Sequence, residues 1–127
     1  MKKVFLLLLI LYSFLLFSQG ENDNWFFGKN VAINFTNSTP TVLYTSQMGN
    51  VLNNYYVAEA CGSISDANGN LLFYTNGLNI WNRNNQIMEN GSGLLSHPSS
   101  EQLIIVKSLS KPNQYYVFTT GECSFFE

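Results

Sequence analysis

Charge is scarce in this chain. Only 11% of its 127 residues are Asp, Glu, Lys or Arg, against roughly 25% in an average soluble protein. Beyond residue 20 there are four basic and eight acidic residues, a formal charge of −4. A weakly acidic chain with scattered charges has no electrostatic footprint for nucleic acid, so a nucleic-acid partner is not expected. Histidine occurs once, as His97, and cysteine twice. That is little material for a metal centre of the His/Cys type. No stretch beyond the first 20 residues shows helical periodicity. A second long apolar run is also lacking, so no stable membrane span is expected once the amino terminus is removed. The length suits one domain at most.

What is present begins with an address. Lys2 and Lys3 precede a 14-residue apolar run, residues 4–17, interrupted by Tyr12 and Ser13. A spanning helix needs about 20 apolar residues, so the run is too short for an anchor. Ser18-Gln19-Gly20 places small residues at −3 and −1 of a cut before Glu21, the signal-peptide pattern. The sequence therefore divides into a signal peptide, 1–20, expected to be helical, and an exported domain, 21–127. No cysteine follows the apolar run, which argues against a lipid anchor. The chain is expected to be secreted or held at the cell surface.

The exported part reads as strands and turns. Trp25-Phe26-Phe27-Gly28 is too apolar to stay in water. Val31, Ile33 and Phe35 alternate with smaller or polar residues, the two-residue period of a half-buried strand. Residues 41–45 are β-branched and aromatic. Gln47–Asn54 reads as a polar loop. Asp66-Ala67-Asn68-Gly69-Asn70 lies between two strand-like runs, and Asn-Gly there is a strong hairpin signal. Asn76-Gly77 and Arg83-Asn84-Asn85 repeat that chemistry, giving a meander of three or four short antiparallel strands with Phe73 and Trp81 directed inward. Asn90–Ser100 reads as a connecting loop. Residues 103–106 form a continuous apolar run, which predicts a strand buried on both faces. Pro112 presets a turn before a last strand over 114–120.

Regular short strands with tight turns predict an all-β fold of antiparallel meanders. Their spacing favours propeller blades, which are four-stranded sheets. At roughly 40–50 residues per blade, 107 residues make about two blades, where a propeller typically needs at least four. The expectation is a partial β-propeller, the opening piece of a longer one, with a truncated gene product as the preferred explanation.

The stretch Glu59-Ala60-Cys61-Gly62-Ser63-Ile64-Ser65-Asp66-Ala67-Asn68-Gly69-Asn70-Leu71-Leu72-Phe73-Tyr74-Thr75-Asn76-Gly77, with Trp25-Phe26-Phe27-Gly28 before it, resembles a family of large bacterial surface proteins. Ile80-Trp81-Asn82-Arg83-Asn84-Asn85-Gln86-Ile87-Met88, Pro98-Ser99-Ser100-Glu101-Gln102 and Tyr115-Tyr116-Val117-Phe118-Thr119 fit as well. These are gliding-motility-associated proteins exported by the type IX route, with an N-terminal propeller-like region, PKD-type repeats and a C-terminal sorting domain. The resemblance covers residues 24–120. It implies propeller architecture and extracellular placement, and it carries over no catalytic residue. The repeats and the sorting domain do not occur in this chain.

The chemistry-bearing residues are few. Asp66 and Asn68 offer oxygens at the alternate spacing of calcium loops, but the twelfth position counted from Asp66 is Gly77, where a bidentate carboxylate would be needed. A plain hairpin turn explains the same residues, so calcium is a weak candidate and no other cofactor is expected. His97 could serve as a base near Ser63 or Ser99, but no nucleophile-elbow motif accompanies it, and a loop residue is the simpler reading. Glu59, Glu89 and Glu101 show no pairing of the kind glycoside hydrolysis requires. Tyr55 and Tyr56, at a junction between loop and strand, are the better-exposed candidates for a stacking surface. Cys61 and Cys123 would share an oxidising compartment after export, where they either form one disulfide or remain two thiols.

These features favour a non-enzymatic secreted or cell-surface propeller-like module that works in adhesion or ligand binding within a larger protein. Its partner would be an extracellular polysaccharide or protein. The alternatives are a hydrolase scaffold whose site needs further blades, and a non-functional fragment. Cleavage at the expected site gives an exported product that starts at Glu21, which amino-terminal sequencing of that product checks.

Overall fold

In the computed structural model, residues 20–49, 51–52, 55–56, 60–96 and 103–121 are described, with the backbone alone at 51, 52, 55 and 56. The expected signal-peptide helix lies outside them. The fold is all-β. A single 3-10 turn, Gly20–Asn22, leads into strands β1 (Asn24–Phe26), β2 (Ala32–Asn34) and β3 (Thr41–Leu43). Two-residue strands β4 (Val51–Leu52) and β5 (Tyr55–Tyr56) form a small hairpin. The four-stranded meander expected from the turn residues follows as β6 (Gly62–Ser65), β7 (Leu71–Thr75), β8 (Asn79–Asn82) and β9 (Ile87–Ser92). Hairpin β10 (Leu103–Lys107) and β11 (Tyr115–Thr119) completes the described chain. All pairings are antiparallel, in the orders β1-β2-β3, β4-β5, β6-β7-β8-β9 and β10-β11.

Asparagine side chains close the meander's turns. Asn76 Oδ1 accepts the N–H groups of Leu78 and Asn79 at 3.1 and 2.9 Å. Asn82 Oδ1 does the same for Asn84 and Gln86 at 2.9 and 3.1 Å. Asn85 sits at φ +61°, which Asn tolerates better than most residues.

The layers stack in a fixed order. Phe26, Ala32 and Leu43, paired across β1-β2-β3, share that sheet's inner face and pack with Tyr74, Trp81 and Leu71 of the meander. Leu103, Ile105, Tyr115 and Val117 of the β10-β11 hairpin lie half-buried against the meander's opposite face. The meander is therefore the middle layer. Its first strand, β6, lies beside both β1 and β10. Ser63 on β6 bridges to β1, its hydroxyl donating to Asn24 O and accepting from Phe26 N–H. On the other side, a Cβ at Gly62 would collide with the Leu103 side chain, so glycine lets β10 approach closely. Lys107 and Glu21 form an ion pair of 2.7 Å between the end of β10 and the opening turn.

A bulge decides which face each leucine of β7 serves. Ser65 pairs with Leu71 and Ile64 with Phe73, so Leu72 is the extra residue. Leu71 then turns to the Phe26 side, while Leu72 and Phe73 both face the hairpin layer.

Three expectations are corrected. The loop predicted over Gln47–Asn54 contains β4, whose apolar Val51-Leu52 pair with Tyr56 and Tyr55. The loop predicted from Asn90 begins later, because β9 continues to Ser92 through Asn90 at φ +56°. The strand expected to be buried on both faces is buried on one. Ile104 is 58% and Val106 41% exposed, since β10 belongs to a two-stranded outer layer with nothing described beyond it. Phe73 and Trp81 are buried, as alternation predicts.

Tyr74 is fully buried. Its ring stacks on Phe26 at 4.2 Å and on Trp81 at 5.4 Å. Its hydroxyl donates to Asn85 Oδ1 at 2.8 Å and accepts from Gln47 N–H at 3.1 Å. Tyr74→Phe leaves both partners unsatisfied and is expected to cost about 1–3 kcal/mol. Tyr74→Ala also removes the middle ring and is expected to cost about 3–5 kcal/mol, the range for large aromatic truncations. Urea denaturation of the two variants checks the order.

Candidate functional site

Among the described residues the meander has four strands and the hairpin that covers it has two. The uncovered half of the meander and the flank of the hairpin enclose a groove of about 610 Å³. Leu72, Phe73, Ile80 and Met88 form its floor, Tyr115 and Val117 its wall, and Arg83 its polar lining on the meander side. The Phe73 and Tyr115 rings meet edge to face at 5.6 Å and close it towards β6. Asn113 and Gln114 supply polar atoms on the hairpin side. Gln114 Oε1 is buried with no hydrogen-bond partner among the described residues, an arrangement with a desolvation cost of about 1–3 kcal/mol. An apolar cavity with a few polar groups is the usual form of a binding site.

The sequence-predicted site residues fall elsewhere. Asp66 and Asn68 occupy the β6-β7 turn. One Asp66 carboxylate oxygen accepts the N–H groups of Asn68 and Asn70, each at 2.9 Å, and the other accepts Asn70 Nδ2 at 3.0 Å. Asp66 thus ties its own turn, with Gly69 supplying φ +81°. Those bonds from Asn70, its side chain first, hold the Asp66 carboxyl below its usual 3.8, with the Arg83 charge a smaller cause. Among the described residues no cluster of three or more His, Cys, Asp or Glu could hold a metal ion.

Tyr55 and Tyr56 form β5, and their side chains lie outside the described residues, so the stacking-surface expectation has no geometry to meet. Cys61 precedes β6 with a free thiol, and packing around the sulfur raises its pKa. Cys123 lies outside the described residues, as do Glu59, His97, Ser99 and Glu101. Ser63, considered as a nucleophile, spends its hydroxyl on β1.

Two features escaped the sequence reading. Asn24, read as part of a polar lead-in, is buried, and its Nδ2 donates to Ser65 Oγ at 2.9 Å and to Gly69 O at 2.8 Å. The groove residues gave no signal beyond ordinary strand alternation, because the site depends on one layer being narrower than its neighbour. No protein family, curated protein or solved structure matches this chain.

The turn yields an acid-side prediction. A carboxyl whose folded pKa lies below its unfolded value contributes stability above the unfolded pKa and loses it as pH falls through the folded one. The melting temperature should therefore fall as the solution is acidified below about pH 4. Asp66→Asn keeps an accepting oxygen but cannot titrate, so its acid limb should be flatter than that of the parent. Asp66→Ala should be destabilised across the whole range. Thermal melts between about pH 7 and pH 2 distinguish the three.

Proposed function

We propose that this chain is a non-enzymatic, secreted or cell-surface β-propeller-like module, acting in adhesion or ligand binding within a larger protein. One observation carries the reading: three antiparallel layers stack face to face with their first strands, β1, β6 and β10, side by side. Blades of a propeller are arranged in this way around a channel. Both outer faces of the stack are apolar. Trp25 and Val42 are exposed on one side, and Ile104, Val106, Tyr116 and Phe118 on the other. Monomeric proteins rarely leave apolar surface of this kind uncovered at two ends, which supports further blades in a larger whole. The signal-type amino terminus and the resemblance to type IX-exported surface proteins support extracellular placement. Among the described residues no helix is long and apolar enough to cross a membrane.

The partner class is an extracellular polysaccharide or protein. The mature chain, immobilised and presented with arrays of polysaccharides and extracellular-matrix proteins, is expected to show saturable binding to at least one. That binding should resist EDTA and weaken about tenfold, roughly 1.4 kcal/mol, when Tyr55 and Tyr56 are both replaced by alanine. Failure to bind any member of either array overturns the reading.

A further inference from the structure

Gly20 belongs to the fold. Its N–H donates to Ala67 O at 3.3 Å, and its C=O accepts Asp23 N–H at 3.0 Å. The first bond reaches the β6-β7 turn, and the second closes the 3-10 turn that leads into β1. Gly20 is buried, and so is Gly69 in the turn beside it. A Cβ at position 20 would collide with Gly69 N and stand 2.8 Å from Gly69 Cα and 3.0 Å from Asp23 Oδ2. Only glycine lets two backbones approach so closely. From the other side, Asn24 Nδ2 holds Gly69 O at 2.8 Å. The opening segment therefore grips the β6-β7 turn at two points, and residue 20 supplies the first.

This gives the small residue at position 20 a second explanation. The sequence alone favours a cut before Glu21, because Ser18 and Gly20 then stand at −3 and −1. Packing against Gly69 demands the same small residue with no peptidase involved. A cut before Glu21 would uncover Gly69 and take partners from Asp23 N–H and Ala67 C=O. A cut before Gly20 would put glutamine at −1 and a charged amine at a buried position. A cut between Ser18 and Gln19 avoids both. Ser18 is then the small residue at −1, with Leu16, aliphatic but larger, at −3. Val4–Leu11 supplies eight uninterrupted apolar residues, enough for the apolar core of a leader. Residues 12–18 then remain to reach the cut.

We propose that the processing site is the Ser18–Gln19 bond, so that the exported chain begins at Gln19 and carries Gly20 into the fold. Hydrolysis by the export peptidase leaves a carboxylate on Ser18 and an amine on Gln19. Gly20 then anchors the opening turn, from which Glu21 reaches Lys107 at 2.7 Å and Asn22 O accepts Trp25 Nε1–H at 2.9 Å. The proposal rests on the export reading, and the two fail differently. A product that keeps residues 1–18 defeats export by this leader. A product that starts at Glu21 defeats only the position of the cut.

The mass of the amino-terminal peptide of the product exported by the native cell decides the position. A peptide that starts at Gln19 is expected, with or without the loss of one ammonia as the Gln19 amine closes onto its own side-chain amide. A start at Glu21, or at any residue other than Gln19, overturns the proposal. Gly20→Leu gives a second test, because it puts a bulky residue at −1 of the later cut but at +2 of the earlier one. Read by pulse labelling, ahead of any effect on folding, this variant should be cut as fast as the parent. Accumulation of its precursor overturns the proposal. Purified chains that begin at Gln19 and at Glu21 test what Gly20 does in the fold. The shorter chain should melt about 4–8 °C lower, the shift that one lost hydrogen bond brings in a domain of about this size. A shorter chain that fails to fold supports the same role, and equal melting of the two overturns it.

Discussion

The structure depends on one ring. Tyr74 lies between Phe26 of β1 and Trp81 of β8, so its faces join the outer sheet to the meander. Its hydroxyl then reaches the loop before β4 through Gln47 and the β8-β9 turn through Asn85. A leucine here could fill volume but could not satisfy Gln47 N–H. A tyrosine does both, which is why a buried ring with a polar end can order two layers and two connections at once. Burial raises the phenol pKa, while the Gln47 N–H pulls the other way. The hydroxyl therefore keeps its proton and remains the donor to Asn85 at neutral pH.

Around that ring, the chain uses neutral polar groups where other proteins use charge. Ser63 and Ser65 on β6 face β1 and Asn24, and their hydroxyls lock the first strands of two layers together. Asn24 Oδ1 accepts Asn34 Nδ2 at 2.8 Å and extends the network to β2. Buried amides and hydroxyls of this kind carry no ionic desolvation cost, provided each finds a partner. There are seventeen asparagines after residue 20; Asn24 and Asn76 are buried, and four others, Asn30, Asn85, Asn90 and Asn113, take positive φ. The low charge seen in the composition is thus matched by an internal mechanism.

Much of the fold was legible because it is local. Turn residues placed the meander, since Gly69 and Gly77, each after an asparagine, take φ +81° and +84°, the backbone that β-branched residues resist. Alternation placed Phe73 and Trp81. What was not legible is set by neighbouring layers. Leu103–Lys107 reads as an apolar run whether one face or both are covered, and only the width of the next layer decides. The bulge at Leu72 is equally silent, because Leu71-Leu72 offers the same residue type to either face. The calcium-like spacing at Asp66 shows the converse case. Oxygens at alternate positions are also what a self-bonded turn requires, and here both carboxylate oxygens accept hydrogen bonds within the turn.

The candidate site belongs to the second kind of information. No residue of the groove is chemically unusual, and Ile80, Met88 and Val117 are ordinary strand residues. The site arises where, among the described residues, a two-stranded layer lies on a four-stranded one. The uncovered strands must present either polar side chains to water or apolar ones to an occupant. Ile80 and Met88 are apolar, and Gln114 Oε1 beside them has no described partner. A sheet face that had evolved to meet solvent would place polar groups at these positions, as the outward side of a half-buried strand does. The apolar choice is the one expected of a surface that meets an occupant.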